Sequence, residues 1–498
     1  MPRPLTTSCY STNMPPSALR LQPAIYQLPN EILTEIAAYV NQISLDEDPS
    51  NAKKATLTKF DFWVPEASRK AVTTLENCTF VSRRFHDAFR PFLYRFVNLR
   101  THRVRHGNGR PVSILRLLKN LRALLDREPR IARWIRVLGF WVDFDFELMA
   151  RRAGSHSDFG AILSKTTSLT SFRIDGYALL SWQDLRPGVQ AALEGVCRLR
   201  TLRELRVVTR LLPPAVFLSA PSLCRLELVD ARAVEGHARP GIQGQIISWS
   251  GMALKELKSP LGLRSLSCHQ DLELLQFFRD VSPWAFGRLE RLVLECKHPQ
   301  SETSFIQDFL QVVEGSLEEL DIRFGDMFVG WAPLEDPTPQ SLPSLDFARL
   351  VKLRRAKLSY GCKAGVDDQV YEDMLIDTLA SLRSIDTVEE VELYLPWRRD
   401  YVSSPDADDP SDIEYARLPA FLRRLDGVWS GFRDGGGYRS LKSIKICIEL
   451  CGQDYGEREG SMELIAPEDL VDLPSVEDLF PTLHSFEQFR YETLQSFY

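Results

Sequence analysis

The sequence predicts an α/β chain, with a small N-terminal helical domain followed by an irregular repeat solenoid. A parallel sheet would line the concave side of that solenoid and helices its convex side. Three observations predict this. A six-residue core, apolar-x-x-apolar-x-apolar, recurs from Ile135 to the C-terminal region. Amphipathic helical stretches fall between the copies. The 498 residues also exceed one small core; at roughly 100–200 residues per domain they imply about two to four domains or one extended array.

The strand core appears as "IRVLGF" from Ile135, "LTSFRI" from Leu169, "LRELRV" from Leu202 and "LCRLEL" from Leu223. It returns as "LERLVL" from Leu289, "LEELDI" from Leu317, "LRRAKL" from Leu353, "VEEVEL" from Val388 and "LKSIKI" from Leu441. Weaker copies start at Leu254 ("LKELKS") and Leu483 ("LHSFEQ"). Spacings are unequal: 21 residues from 202 to 223, 28 from 289 to 317, 36 from 317 to 353 and 53 from 388 to 441. Helical stretches lie between them, among them "RPGVQAALEGVCRL", "SETSFIQDFLQVVEG", "QVYEDMLIDTLASLRSI" and "LPAFLRRLDGVW". A strand-then-helix unit with this motif is the leucine-rich repeat. One unit cannot bury its own apolar face, so units stack. The alternative is an ordinary α/β domain with Leu-rich strands; the number of copies running in one direction favours the solenoid.

The segment before the array has its own pattern. In "LPNEILTEIAAYV" (28–40), Pro29 suits the first turn of a helix, where its missing N–H costs nothing. Ile32, Leu33, Ile36, Ala37 and Val40 then form one apolar stripe. Residues 41–74 are polar and acidic, then aromatic, and read as an insertion. A second helix is expected through "TLENCTFVSRRFHDAFRPFLY", with Leu75, Cys78, Val81, Phe85 and Phe89 as its stripe and Pro91 ending or bending it. "SILRLLKNLRALLDREP" (113–129) is amphipathic, with Ser113 as a possible N-cap and Pro129 beyond its end. The expected organisation is a disordered tail at 1–24, the helical domain at 25–95, a linking strand and helix at 96–134, and the repeats at 135–498. An exposed acidic loop is expected at 400–415, where Ser403, Ser404 or Ser411 could be phosphorylated or merely solvated.

Composition narrows the function. The N-terminus lacks a secretory apolar core, which predicts cytoplasm, nucleus or both. No apolar run approaches the roughly 18 residues of a membrane span. The nine cysteines are scattered without a Cys-x-x-Cys pair and predict buried free thiols. Cys296 and His298 have no partner pair at ligand spacing, so neither a metal nor a cofactor is expected. The net charge of −6 hides an asymmetry. Arg83–Arg136 holds fifteen bases against three acids, whereas Tyr360–Tyr498 holds twenty-nine acids against thirteen bases. The basic stretch "LRTHRVRHGNGRP" could attract nucleic acid, but it has few aromatics for stacking and an acidic half follows. A solvated face, or one meeting an acidic protein segment, is the better expectation. No phosphate-binding loop, nucleophile elbow or zinc-protease motif is present, so the chain is not expected to be an enzyme.

Together, "LPNEILTEIAAYV", "TLENCTFVSRRFHDAFRPFLY" and the irregular repeats resemble the fungal-type F-box proteins with C-terminal leucine-rich repeats. The resemblance covers about 26–95 for the F-box and most of the remainder for the repeats. It implies a substrate-recognition subunit of an SCF-type cullin-RING ubiquitin ligase. The F-box would dock on a Skp-type adaptor, and a cullin would join through it. Leu28, Pro29, Ile32, Leu33 and Ile36 would face the adaptor, with Val81, Ser82 and Phe85 beside them. The insertion at 41–74 departs from the short link usual in the family. It raises an alternative, an F-box-like scaffold acting outside a ligase.

The repeats would hold an unknown protein substrate. Side chains alternate along a strand, so those between the apolar positions line the concave wall. Candidate substrate-binding residues are Arg206, Arg225, Arg323, Arg355, Lys357 and Tyr394. Arg clusters there suit an acidic or phosphorylated segment, or equally a solvated charged surface.

Overall fold

The computed structural model describes residues 32–37, 77–99, 114–142, 156–176, 182, 185–208, 216, 220–229, 262–269, 272, 275, 278–280, 283–296, 299–324, 343–360, 362–363, 368–399, 411–429, 440–452, 475–485 and 489–497. The chain divides into two compact units, Met1–Phe96 and Val97–Tyr498. The expected tail, Leu28, Pro29, the insertion at 41–74, the N-cap Ser113 and residues 400–410 of the acidic loop lie outside the described residues.

In the first unit, the helical segment 32–37 buries Leu33 and Ala37, one turn apart. They share a core with Phe85 and Phe89, and Cys78, Ala88, Phe92 and Leu93 pack against its edge. The Phe85 and Phe89 rings stack with centroids 5.6 Å apart. The expected single helix over 74–94 is broken. Residues 77–79 are helical, Phe80 and Val81 turn, and a new helix runs from Arg83 to Leu93. Ser82 causes the break: its extended backbone (φ −162°, ψ 164°) carries Oγ to a position where it accepts from the Phe85 N–H at 3.3 Å. That bond satisfies one orphan donor of the first turn. Ser82→Ala should lower the unit's stability by about 1 kcal/mol, measurable in urea melts. Pro91 does not end the helix, which continues through it to Leu93.

The second unit is built on one sheet in strict sequence order. Its strands are β1 (Phe96–Leu99), β2 (Val137–Val142), β3 (Ser171–Gly176), β4 (Glu204–Val208), β5 (Arg225–Val229), β6 (Ser265–His269), β7 (Arg291–Cys296) and β8 (Glu319–Phe324). There follow β9 (Arg355–Tyr360), β10 (Cys362–Lys363), β11 (Glu390–Arg399), β12 (Ser443–Gly452) and β13 (Phe489–Phe497). They line up as β1 to β9, then β11, β12 and β13, with β10 pairing off the path to β11. The pairings from β2 onward are parallel. Parallel neighbours need a crossover, and helices supply it where the repeats are long. These include Pro187–Cys197, Pro299–Val313, Asp368–Ser381 and Ser411–Trp429. One long parallel sheet with sequential neighbours, alternating with helices, is consistent with a leucine-rich-repeat-like solenoid.

The motif explains the core. Its three apolar positions are buried in copy after copy, as in Leu202, Leu205 and Val207, or Leu289, Leu292 and Leu294. Between repeats, Phe140 meets Phe159 and Phe172 edge-on, at 4.8 and 5.9 Å. The residue before each strand also ties adjacent turns together. The Arg203 carbonyl accepts from the N–H groups of Cys224 and Arg225, and the Cys224 carbonyl from those of Arg264 and Ser265, all at 2.8–3.0 Å.

Several expectations change. The weak copy at Leu254 lies outside the described residues; the strand between β5 and β7 is Ser265–His269, led by Leu263, Leu266 and Cys268. The weak copy at Leu483 is a 3-10 turn over Leu483–Ser485, and β13 begins later, at Phe489. Residues 411–415 of the expected acidic loop are helical, because the helix Ser411–Trp429 starts there. Its apolar half, Leu418, Phe421, Leu422, Leu425 and Trp429, is buried.

Candidate functional site

Along the strands the apolar positions are buried and alternate with less buried residues on the opposite, open face. The open face carries the residues between the apolar positions, and register sorts them into columns. The first column runs Glu204, Arg225, Ser265, Arg291, Glu319, Arg355, Glu390 and Ser443. Opposite charges alternate along much of it, and they pair. Arg225 meets Glu204 at 3.0 Å, and Arg355 meets Glu319 at 3.0 Å and Glu390 at 3.2 Å. In the middle column Arg206 pairs with Glu227, and Lys357 with Glu392 at 3.1 Å. Arg323, one column further along, folds back on Asp321 with two bonds of 3.1 and 3.4 Å.

Each predicted substrate-binding cation therefore already faces a carboxylate. Arg206, Arg323, Lys357 and Tyr394 are half-buried, and Arg225 and Arg355 are exposed. The Tyr394 hydroxyl is buried and has no hydrogen-bond partner among the described residues. The exposed pairs contribute little stability. Their arrangement makes the open face a charge-balanced checkerboard, where a partner must match a pattern of both signs.

A part-buried polar cluster surrounds His269 on β6. The ring Nδ1 lies 3.0 Å from Glu295 Oε2, and Nε2 lies 2.8 Å from Ser267 Oγ and 3.5 Å from Glu227 Oε1. Burial works against a charged imidazole here. The flanking Glu227 and Glu295 carboxylates outweigh it and raise the His269 pKa above its ordinary value. Burial likewise opposes ionisation of Glu227, yet His269 and Arg206 hold its carboxyl down at about 2. Asp321, Glu295 and Glu227 raise the Arg323 guanidinium.

The Ser267–His269–Glu295 geometry resembles a nucleophilic triad in outline. The electrostatics work against one, because two flanking carboxylates that favour the charged imidazole weaken it as a general base. The cluster is better suited to fixing a local charge pattern across β4 to β8.

Sequence reasoning missed Ser267, His269 and Glu295. The available signal was the Leu263, Leu266, Cys268 spacing, hidden by a cysteine in the last apolar slot.

In the first unit the predicted residues divide. Leu33 and Phe85 belong to the unit's own core, and Ser82 caps a helix. Ile32, Ile36 and Val81 are exposed by 38%, 37% and 46%, and Phe80 by 85%. Leu28 and Pro29 lie outside the described residues.

Among the described residues, no group of three or more His, Cys, Asp or Glu side chains is placed to hold a metal ion. No helix among them is long and apolar enough to cross a membrane. Burial pushes the Cys197 thiol up to about 12, so it is inert at neutral pH. No protein-family model matches the chain, and the search of curated proteins returned no match.

Proposed function

We propose that the chain is a non-catalytic receptor, the substrate-recognition subunit of an SCF-type cullin-RING ubiquitin ligase, working in the cytoplasm, the nucleus or both. The first unit docks on a Skp-type adaptor, and the open face of the sheet holds a protein substrate. One observation carries this reading: the helical segment 32–37 uses Leu33 and Ala37 for its own core yet leaves Ile32 and Ile36 outside. An apolar pair one turn apart, facing away from the core that the same segment builds, suits a partner's groove. The F-box resemblance of residues 26–95 supports the same assignment.

The test is co-purification with a Skp-type adaptor. Ile32→Asp with Ile36→Asp should weaken capture at least about tenfold, the effect of removing a central apolar anchor, while the melting temperature stays put. Capture by the double variant at wild-type strength would sink the reading. The insertion at 41–74 favours a second reading, an F-box-like scaffold outside a ligase. Adaptor capture without cullin in the same pull-down would select it.

A further inference from the structure

The strand-leading rim of the sheet holds a groove of about 520 Å³, within the range of ligand sites. It is formed by the residues immediately before β4, β5, β6, β7 and β8 and by the turns around them. Its lining includes Arg203, Arg264, Arg288 and Lys352 against Glu290 and Glu318. Arg264 is paired with Glu290 at 3.4 Å. Among the described residues no carboxylate pairs with Arg203, Arg288 or Lys352. The open face differs, since its candidate cations are already neutralised.

Arg203 and Lys352 lead into β4 and β9, five strand spacings apart. At ~4.8 Å per spacing this is roughly 24 Å, the length of about seven extended residues. The cations are thus spread along a line, and they suit a chain lying across the strands with anionic groups at intervals. Glu318 interrupts the line. A nucleic acid, with a phosphate at each nucleotide, would set a charge against it. A peptide can place a neutral residue there.

We propose that this groove binds an extended acidic peptide segment, its carboxylate or phosphoryl groups held by Arg203, Arg288 and Lys352. The assignment goes beyond adaptor docking and does not depend on it. Two glycines permit the approach. A Cβ added at Gly262 or Gly315 would meet nothing within 4 Å, so the backbone there is open.

The experiment uses the full-length chain and fluorescence anisotropy. Three pools of nine-residue peptides carry two phosphoserines, two aspartates or two serines, three positions apart, with the remaining positions randomised among neutral residues. A nine-nucleotide single-stranded DNA is the fourth probe. At least one anionic pool should bind about tenfold or more tighter than the serine pool. Preference for phosphoserine assigns phosphoryl recognition, and preference for aspartate assigns carboxylate recognition. Arg288→Ala with Lys352→Ala should weaken that binding at least about tenfold, and so should Gly262→Glu. Arg116→Ala, exposed on the helix Ile114–Arg127 and not part of the groove lining, should leave it unchanged. All three variants are to be compared at unchanged melting temperature, and the alanine pair decides if Gly262→Glu disturbs folding. Equal binding of the serine pool, wild-type binding by the alanine pair, or preference for the DNA would overturn the proposal.

Discussion

Phe286→Ala is expected to destabilise the repeat array by about 3–5 kcal/mol, the cost of truncating a fully buried aromatic side chain. Phe286 is wholly enclosed, between Phe278 at 4.9 Å and Phe309 at 5.3 Å. Phe309 belongs to the helix Pro299–Val313, which crosses from β7 to β8, so the three rings join successive repeats. Truncation would leave a cavity bounded by two large rings fixed on separate elements, and neither can collapse into it freely. Stability in a repeat array is carried by nearest-neighbour interfaces. Amide exchange should therefore accelerate mainly from β6 to β8, with β12 and β13 keeping their protection. Uniform acceleration along the whole sheet would contradict a nearest-neighbour array.

Glu227→Gln is expected to cost about 2 kcal/mol. It removes the carboxylate that faces both Arg206 and His269. Fully buried pairs lose about 3–5 kcal/mol when one partner goes; these side chains keep some exposure, so water moderates the loss. The same cluster sets a pH window. The Glu227 pKa falls to about 2 in the folded chain, so its contribution is present above its ordinary value and is lost as pH falls towards 2. The His269 pKa is raised. Its contribution is full below about 6.5, the ordinary histidine value, and disappears as pH rises through the folded value. The stability gap between wild type and His269→Gln, from urea melts, should therefore be larger at pH 5.5 than at pH 9. A gap that widens with pH would invert the assigned direction.

The fold was legible where the motif is complete. β5 and β8 show Leu223, Leu226 and Leu228, and Leu317, Leu320 and Ile322, and these positions are buried. β6 was hidden because Cys268 fills the last apolar position, while "LKELKS" nearby offered a closer match to the pattern. The helix His156–Lys165 gave little signal, since Gly160 weakens its propensity by ~1 kcal/mol. That glycine lies against the next helix, where its Cβ would come 3.8 Å from Ala192. The break at Ser82 was readable in hindsight from a serine three residues before Phe85, but the apolar stripe overrode it. The His269 cluster could not be read locally at all. Its members come from β4 to β8, and only register brings them together. The columns that hold the predicted wall residues followed from alternation alone; their mutual neutralisation depends on which residue sits beside which.

Apart from the two-residue β10, which pairs off the path to β11, each strand of the sheet is bonded to its neighbours in chain order. Under tension applied to its two ends, such a ladder has, among the described residues, no long-range clasp to shear all at once. Repeats would peel away from a terminus one after another, at forces set by unzipping single lateral bonds. Pulled between beads, the array should yield a sawtooth of small steps and refold from any repeat left standing. The same series makes it an extensible spring, able to lengthen by whole repeats while the remainder of the open face keeps its pattern.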